Sequence, residues 1–436
     1  MNRMRCLILV WVVLPGAVLR SATGSAGPDP NLRTRLESLS GVVEVKETRF
    51  DRRLFSEGYE VTVEQPLDHQ SPGGERFRQR VFVAHSGYDR PVLLETEGYA
   101  AFGTSGGELQ RILGGNQVTV EHRFFGRSVP SPVRWEYLTV RQSADDLHAV
   151  VTLLKSVYPG KWVSTGVSKG GQTALFYKCY YPDDVDATVA YVAPINVAQE
   201  DPRIYQFLQT AGDAATRKRI KDFQIALLRR EDEVLPLVQV QAERSRWTFA
   251  MGLSEAYEYG VLEYPYAFWQ DGTDPNTIPA PDAQAEALAA HYNRVGMLRY
   301  YSDQGKRQFE PFLYQAFTEM GYYNYDITDF KPYIKTLKNP SNLAICPDGV
   351  RIVYNPATMA FVYHFLQYEA HRVVYIYGEM DAWSATQMQL IGRTDAVKIV
   401  VQDAHHGARI SRFSPEQKEL FYSKLEGWLG LRLARP

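Results

Sequence analysis

Serine, aspartate and histidine occur in this chain in an order, and beside neighbours, that suit acyl transfer. Gly166-Val167-Ser168-Lys169-Gly170 and Gly103-Thr104-Ser105-Gly106-Gly107 both match Gly-x-Ser-x-Gly, the tight turn that exposes a nucleophilic serine between a strand and a helix. The turn works only if a strand leads into it and a helix leaves it. Ser168 meets that condition, because Lys161 to Thr165 reads as a strand and Gln172 to Tyr177 as a helix. Ser105 follows the loop-like Gly98-Tyr99-Ala100-Ala101-Phe102. A serine hydroxyl is a weak nucleophile and needs a histidine base that a carboxylate orients.

The chain order Ser, acid, His is met downstream. Asp381, in Gly378-Glu379-Met380-Asp381-Ala382-Trp383, lies just past the strand pattern His371 to Tyr377. His406, in Asp403-Ala404-His405-His406-Gly407, lies just past Val397 to Gln402. The 25-residue step from Asp381 to His406 accommodates one loop, helix and strand. Glu379 and Asp403 are alternative acids and His405 an alternative base. The oxyanion of such a reaction needs backbone N–H donors. Lys169 supplies one, and the loop at Gly98 and Tyr99, after an early strand, is the candidate for the second. Only the Lys169 amide is required, and its side chain is expected at the surface or in a structural role. The paired histidines lack His-Glu-x-x-His or Cys-x-x-Cys spacing, so neither a metal nor another cofactor is expected.

These residues must be positioned by a sheet. From about Val42 to Pro194 short β-branched runs alternate with helical ones, the texture of βαβ units. A helix is predicted over Ser143 to Tyr158 with Ser143 as its cap, and another from the capping-box pattern at Ser414-Pro415-Glu416-Gln417. Residues 197–366 carry long helical patterns rich in aromatics, after which strand signals return. The expected division is therefore an α/β domain of residues 27–196 and 367–436, interrupted by a helical insertion at 197–366.

Composition narrows the class. The chain has 436 residues, 45% hydrophobic and 22% charged, with a net charge of −2, so a disordered chain is excluded and nucleic acid is not an expected partner. Arg3 and Arg5, an apolar run from Cys6 to Leu19 and small residues to Ala26 read as a signal peptide over 1–26, giving an expected secreted or periplasmic location. The run is too short to cross a bilayer, and no stable membrane insertion is expected. Cys179 and Cys346 either pair or stay free as buried apolar groups.

Four ordered segments carry a resemblance. Glu121-His122-Arg123-Phe124-Phe125-Gly126-Arg127-Ser128, Gly166 to Gly171, Gln315-Ala316-Phe317-Thr318-Glu319-Met320-Gly321 and Gly378 to Trp383 together resemble the secreted prolyl tri/tetrapeptidyl aminopeptidases. Those serine peptidases are similar to lysosomal Pro-Xaa carboxypeptidase and dipeptidyl peptidase II. The likeness spans roughly Phe77 to Leu431. It implies an α/β-hydrolase fold whose mostly helical cap is inserted between the nucleophile strand region and the acid strand. The implied activity is release of tri- or tetrapeptides from a free N-terminus after proline. Lysine at position 169 fits the aminopeptidase branch, since the lysosomal relatives carry tyrosine there. Two departures stand out: Ala382 where many relatives have proline, and the doubled His405-His406.

A peptide is the expected partner. Its ammonium needs a carboxylate, for which Glu97 and Glu319, within family-like segments, are candidates, and Trp383 is a candidate substrate contact. Tyr257, Tyr259, Tyr264, Tyr266, Phe268 and Trp269 form an aromatic stretch that could line a proline pocket. Carboxypeptidase or dipeptidyl-peptidase activity, an esterase or lipase on the same scaffold, and a non-enzymatic binding protein stay open as alternatives, as does the oligomeric state.

Overall fold

Residues 31–104 and 106–436 are described by a computed structural model. The expected signal segment and Ser105 lie outside them. Nine strands form one sheet: β1 (Val42–Glu47), β2 (Glu57–Pro66), β3 (Arg76–His85), β4 (Val92–Thr96), β5 (Asn116–Val120), β6 (Trp162–Val167), β7 (Ala187–Tyr191), β8 (Val373–Gly378) and β9 (Val397–Val401). Their order is β1-β2-β3-β5-β4-β6-β7-β8-β9. β1, β2, β3 and β5 pair antiparallel, and β5 onward the sheet is parallel. β1 carries little sequence signal, because its residues largely face solvent, with Val45 its one buried side chain.

The inner parallel strands are buried on both sides because both faces are covered. α1 (Leu32–Glu37) packs at the β1 edge, and α2 (Glu108–Leu113), α3 (Val140–Lys155) and α4 (Lys169–Tyr180) connect the strands. In β4, Leu93 joins a core with Leu109, Ile112, Phe421 and Leu425, while Leu94 joins the opposite core with Leu147, Val150 and Leu154 of α3. The apolar stripe of α3 lies on the sheet, but the helix does not start where expected. Thr139 is the cap, accepting from Gln142 N–H, and Ser143 Oγ donates to the Thr139 carbonyl inside the first turn. A threonine four residues upstream offered the same hydroxyl with a longer helix behind it.

Between β7 and β8 run α5 (Pro202–Thr210), α6 (Ala214–Arg229), α7 (Glu231–Arg244), α8 (Leu253–Asp271), α9 (Ala285–Val295), α10 (Asp303–Gln315) and α11 (Pro356–Tyr368). The chain closes with α12 (Pro415–Leu429), opened by the expected capping box between Ser414 and Gln417. No helix among the described residues is long and apolar enough to cross a membrane. Cys179 and Cys346 are both buried and free.

The segment from Glu121 to Ser128 acts as a tie. Arg123, 1% exposed, grips Asp146 of α3 with Nε–Oδ2 at 2.6 Å and Nη2–Oδ1 at 2.8 Å, and donates to the Leu67 and Tyr137 carbonyls. Removing one partner of such a buried pair leaves a lone charge at a cost of about 3–5 kcal/mol. Fully buried Glu121 accepts from Ala101 N–H at 3.0 Å, Arg127 N–H at 2.8 Å and Ser128 Oγ at 2.8 Å, and is bonded to Arg80. It thereby anchors the far end of the loop that carries Gly98 and Tyr99.

Candidate active site

Ser168 stands between β6 and α4 with φ 58° and ψ −124°, a backbone conformation that costs energy for any side-chain-bearing residue. Its flanking glycines are required by proximity. A Cβ on Gly166 would lie 2.2 Å from the Gly170 carbonyl oxygen, and one on Gly170 would lie 2.6 Å from that of Thr96. The local sequence therefore dictates the turn, and the turn lifts the hydroxyl above the sheet.

Asp381, fully buried, follows β8 and caps a short 3-10 turn; its Oδ2 accepts from Ser384 Oγ at 2.7 Å and its Oδ1 from Trp383 N–H at 3.3 Å. His406 Nδ1 lies 3.0 Å from Asp381 Oδ1. With the acid beside Nδ1, the other ring nitrogen is left for a proton from elsewhere. His405 is turned away: its Nδ1 donates to the Trp269 carbonyl at 2.9 Å. Of the alternative acids, exposed Glu379 accepts from the Asp403 backbone N–H at 3.1 Å.

Ser168 and His406 line one pocket of about 260 Å³, with Tyr99, Lys169, Gln172 and Pro194 on the sheet side. Its other walls come from the insertion, through Glu263, Tyr300, Phe309, Phe312 and Tyr322, and from Trp383. Gly98 abuts the start of α4, where a Cβ would lie 2.6 Å from that of Lys169. The Gly98–Tyr99 backbone thus sits against Lys169, whose amide is the first of its helix and has no intrahelical partner. Of the two places expected for the Lys169 side chain, the surface is excluded: the residue is 2% exposed and burial pushes its amine well below the usual lysine range.

The aromatic stretch of α8 does not face Ser168. Tyr257, Tyr259, Tyr264, Phe268 and Trp269 pack in the core of the insertion, because a helix covered all round buries aromatics on every face. What α8 turns toward the pocket is Glu263, Ala267 and Gln270, spaced at four and three residues.

Neither acid proposed for the ammonium lines this pocket. Glu97 faces a small cavity with Glu121, His122, Arg123 and Asp146, and burial with the nearby Glu95 and Glu121 carboxylates pushes it up to about 8. Glu319 accepts from Val140 N–H at 2.6 Å and Thr358 Oγ1 at 3.0 Å, tying the insertion to the start of α3. The carboxylate that does open on the pocket is Glu263, 4% exposed. Tyr325 donates to its Oε2 at 2.7 Å and Tyr301 at 3.3 Å, while Tyr323 donates to Oε1. Burial raises this carboxyl to about 7, the three hydroxyls hold it lower than burial alone would, and no cation among the described residues acts on it.

A mainly parallel sheet covered on both faces, with a serine on its strand-to-helix turn and acid and histidine on the loops after the last two strands, defines an α/β hydrolase. Within that class the chain belongs to the peptidase S37 family, whose model, described as PS-10 peptidase S37, matches residues 28–435. It is a serine peptidase. It is 30% identical to the prolyl tri/tetrapeptidyl aminopeptidase of Streptomyces mobaraensis over 97% of this chain and 90% of that protein. A putative serine protease of Caenorhabditis elegans is 21% identical over 84% of this chain and 88% of its own. Among solved structures, the proline iminopeptidase of Mycobacterium smegmatis aligns at 14% identity and a TM-score of 0.39, covering 85% of this chain and 97% of that one.

Proposed function

We propose that this peptidase is an exported aminopeptidase that releases tri- or tetrapeptides from a free N-terminus after proline. One observation carries the reading: Glu263, a buried carboxylate with tyrosine donors but no cation partner among the described residues, opens on the pocket that holds Ser168 and His406. An ammonium group is the partner that such an anion lacks. The likeness to a tri/tetrapeptidyl aminopeptidase supports the same choice. Walls contributed by residues 197–366 act as a cap and limit entry to chain ends.

In this mechanism Ser168 Oγ attacks the prolyl carbonyl carbon while His406 Nε2 takes the hydroxyl proton, and Asp381 holds Nδ1–H and steadies the imidazolium. The oxyanion is received by the Lys169 amide and the Gly98–Tyr99 loop. Collapse breaks the C–N bond, His406 returns the proton to the departing amine, and water repeats the sequence on the acyl-enzyme. Trp383, whose indole N–H donates to Gln270 Oε1 at 2.5 Å, closes the side of the pocket beside His406. Residues 1–26 direct export. N-terminal sequencing of the mature protein tests this, with a start near residue 27 expected and a retained leader against it.

The amine reading has its own signature. Glu263→Gln is expected to lower kcat/KM on free-amine peptides roughly 10- to 100-fold, mainly through KM, the loss of one charge-assisted contact. In the wild type kcat/KM should fall as pH drops below about 7, where Glu263 takes a proton and can no longer pair with an ammonium. Because the general base is common to both forms, the ratio of wild-type to variant kcat/KM should shrink as pH falls below about 7. N-acetylated peptides should be poor substrates for both forms. Equal wild-type rates on free and acetylated peptides would rule out obligate amine recognition.

A further inference from the structure

Lys169 is an odd residue to find in the wall of a peptidase pocket. It is 2% exposed, no ion pair among the described residues includes it, and the only cause of its depressed basicity is burial. An apolar side chain of similar volume would fill the same space without desolvating an amine. The position of its tip suggests why an amine is there. Nζ lies 5.9 Å from the ring centroid of Tyr99 and 5.4 Å from that of Phe125, within the range at which an ammonium is held by aromatic faces. Tyr99 in turn meets Phe125, Phe309 and Phe312 edge-on, with centroids at 5.5, 6.0 and 5.8 Å.

The geometry of acyl transfer places the substrate against this assembly. Once the carbonyl carbon is bonded to Ser168 Oγ and its oxygen rests on the Lys169 amide, the α-carbon of the residue before the scissile bond is one bond away, about 1.5 Å. Its side chain must then lie among the groups nearest the oxyanion donors, and Tyr99, Lys169, Phe309 and Phe312 are the pocket residues that converge there. We propose that Lys169 sets specificity for the residue before the scissile bond: by filling the space behind Tyr99 and holding that ring, its side chain keeps the subsite to the size of a pyrrolidine. This rests on the post-proline reading above and concerns a residue that bounds the substrate while its amide does separate work.

The test compares wild type, Lys169→Met and Lys169→Ala on free-amine peptides that differ only in carrying proline, alanine, leucine or phenylalanine before the scissile bond. Stoichiometric phosphonate labelling of Ser168 verifies that each variant retains a formed site, and the methionine form preserves most of the buried volume. Lys169→Ala is expected to raise the leucine-to-proline and phenylalanine-to-proline ratios of kcat/KM about tenfold or more, the scale set by one or two methylenes in an apolar pocket. Lys169→Met, which retains the stem but releases Tyr99, is expected to shift the ratios in the same direction by roughly threefold, a fraction of that scale. A proline-selective wild type whose ratios are unmoved in both variants overturns this inference alone, because a merely structural lysine would slow all peptides alike. A wild type that does not cleave after proline overturns the proposed function, and this inference with it.

Discussion

Replacing Ser168 with alanine is expected to lower kcat on a post-proline peptide by roughly 10⁶, the scale seen when the nucleophile of a serine peptidase is removed. The expectation rests on local geometry. The φ of 58° at Ser168 and the close passage of Gly166 against Gly170 leave the turn no other function that the structure displays. Alanine fits the same backbone and removes only the hydroxyl, so binding should persist and KM should change far less than kcat. Initial rates on a free-amine peptide, together with circular dichroism to confirm folding, decide the matter. Ser105→Ala is the control, and its rate should remain within about threefold of wild type, because the attack is assigned to Ser168.

Asp381→Asn is expected to cost about 10⁴ in kcat with little change in KM. Asp381 is fully buried and its Oδ1 sits 3.0 Å from His406 Nδ1, so a carboxylate there accepts the Nδ1 proton and leaves Nε2 free to take one from serine. An asparagine that turns its NH₂ toward the ring enforces the opposite tautomer. Ser384 Oγ, which donates to Oδ2 at 2.7 Å, should hold the substituted side chain in place, so the loss is one of protonation and not of folding. Steady-state kinetics with a thermal melt check both halves. A loss below tenfold with an unchanged melt would mean that another group orients the histidine.

What could be read from the residues alone follows from how local each constraint is. The turn at Ser168 was legible because three glycines within six residues answer to contacts between neighbouring elements. Asp381 was legible because β8, buried on both faces, writes a continuous apolar run just before it, and His406 because β9 writes a β-branched run broken only by Lys398. Glu263 carried no signal. It is one glutamate among the aromatics of α8, and the hydroxyls that mark it come from 38 to 62 residues further along the chain. Glu97 and Glu319 posed the same distance problem: Glu319 accepts from the Val140 N–H at the start of α3, and Glu97 faces a small cavity apart from the one Ser168 lines. Lys169 was read through its amide alone, since only the packing of Tyr99 and Phe125 reveals what the side chain meets.

The most direct single measurement is peptide mapping after the active enzyme has been inactivated with an organophosphonate. One label per chain is expected, carried by Ser168, blocked by a competing free-amine peptide and slowed by Asp381→Asn. A label carried by Ser105, or an enzyme that keeps cleaving peptides with Ser168 fully modified, would contradict the assignment of the nucleophile and the chemistry built upon it.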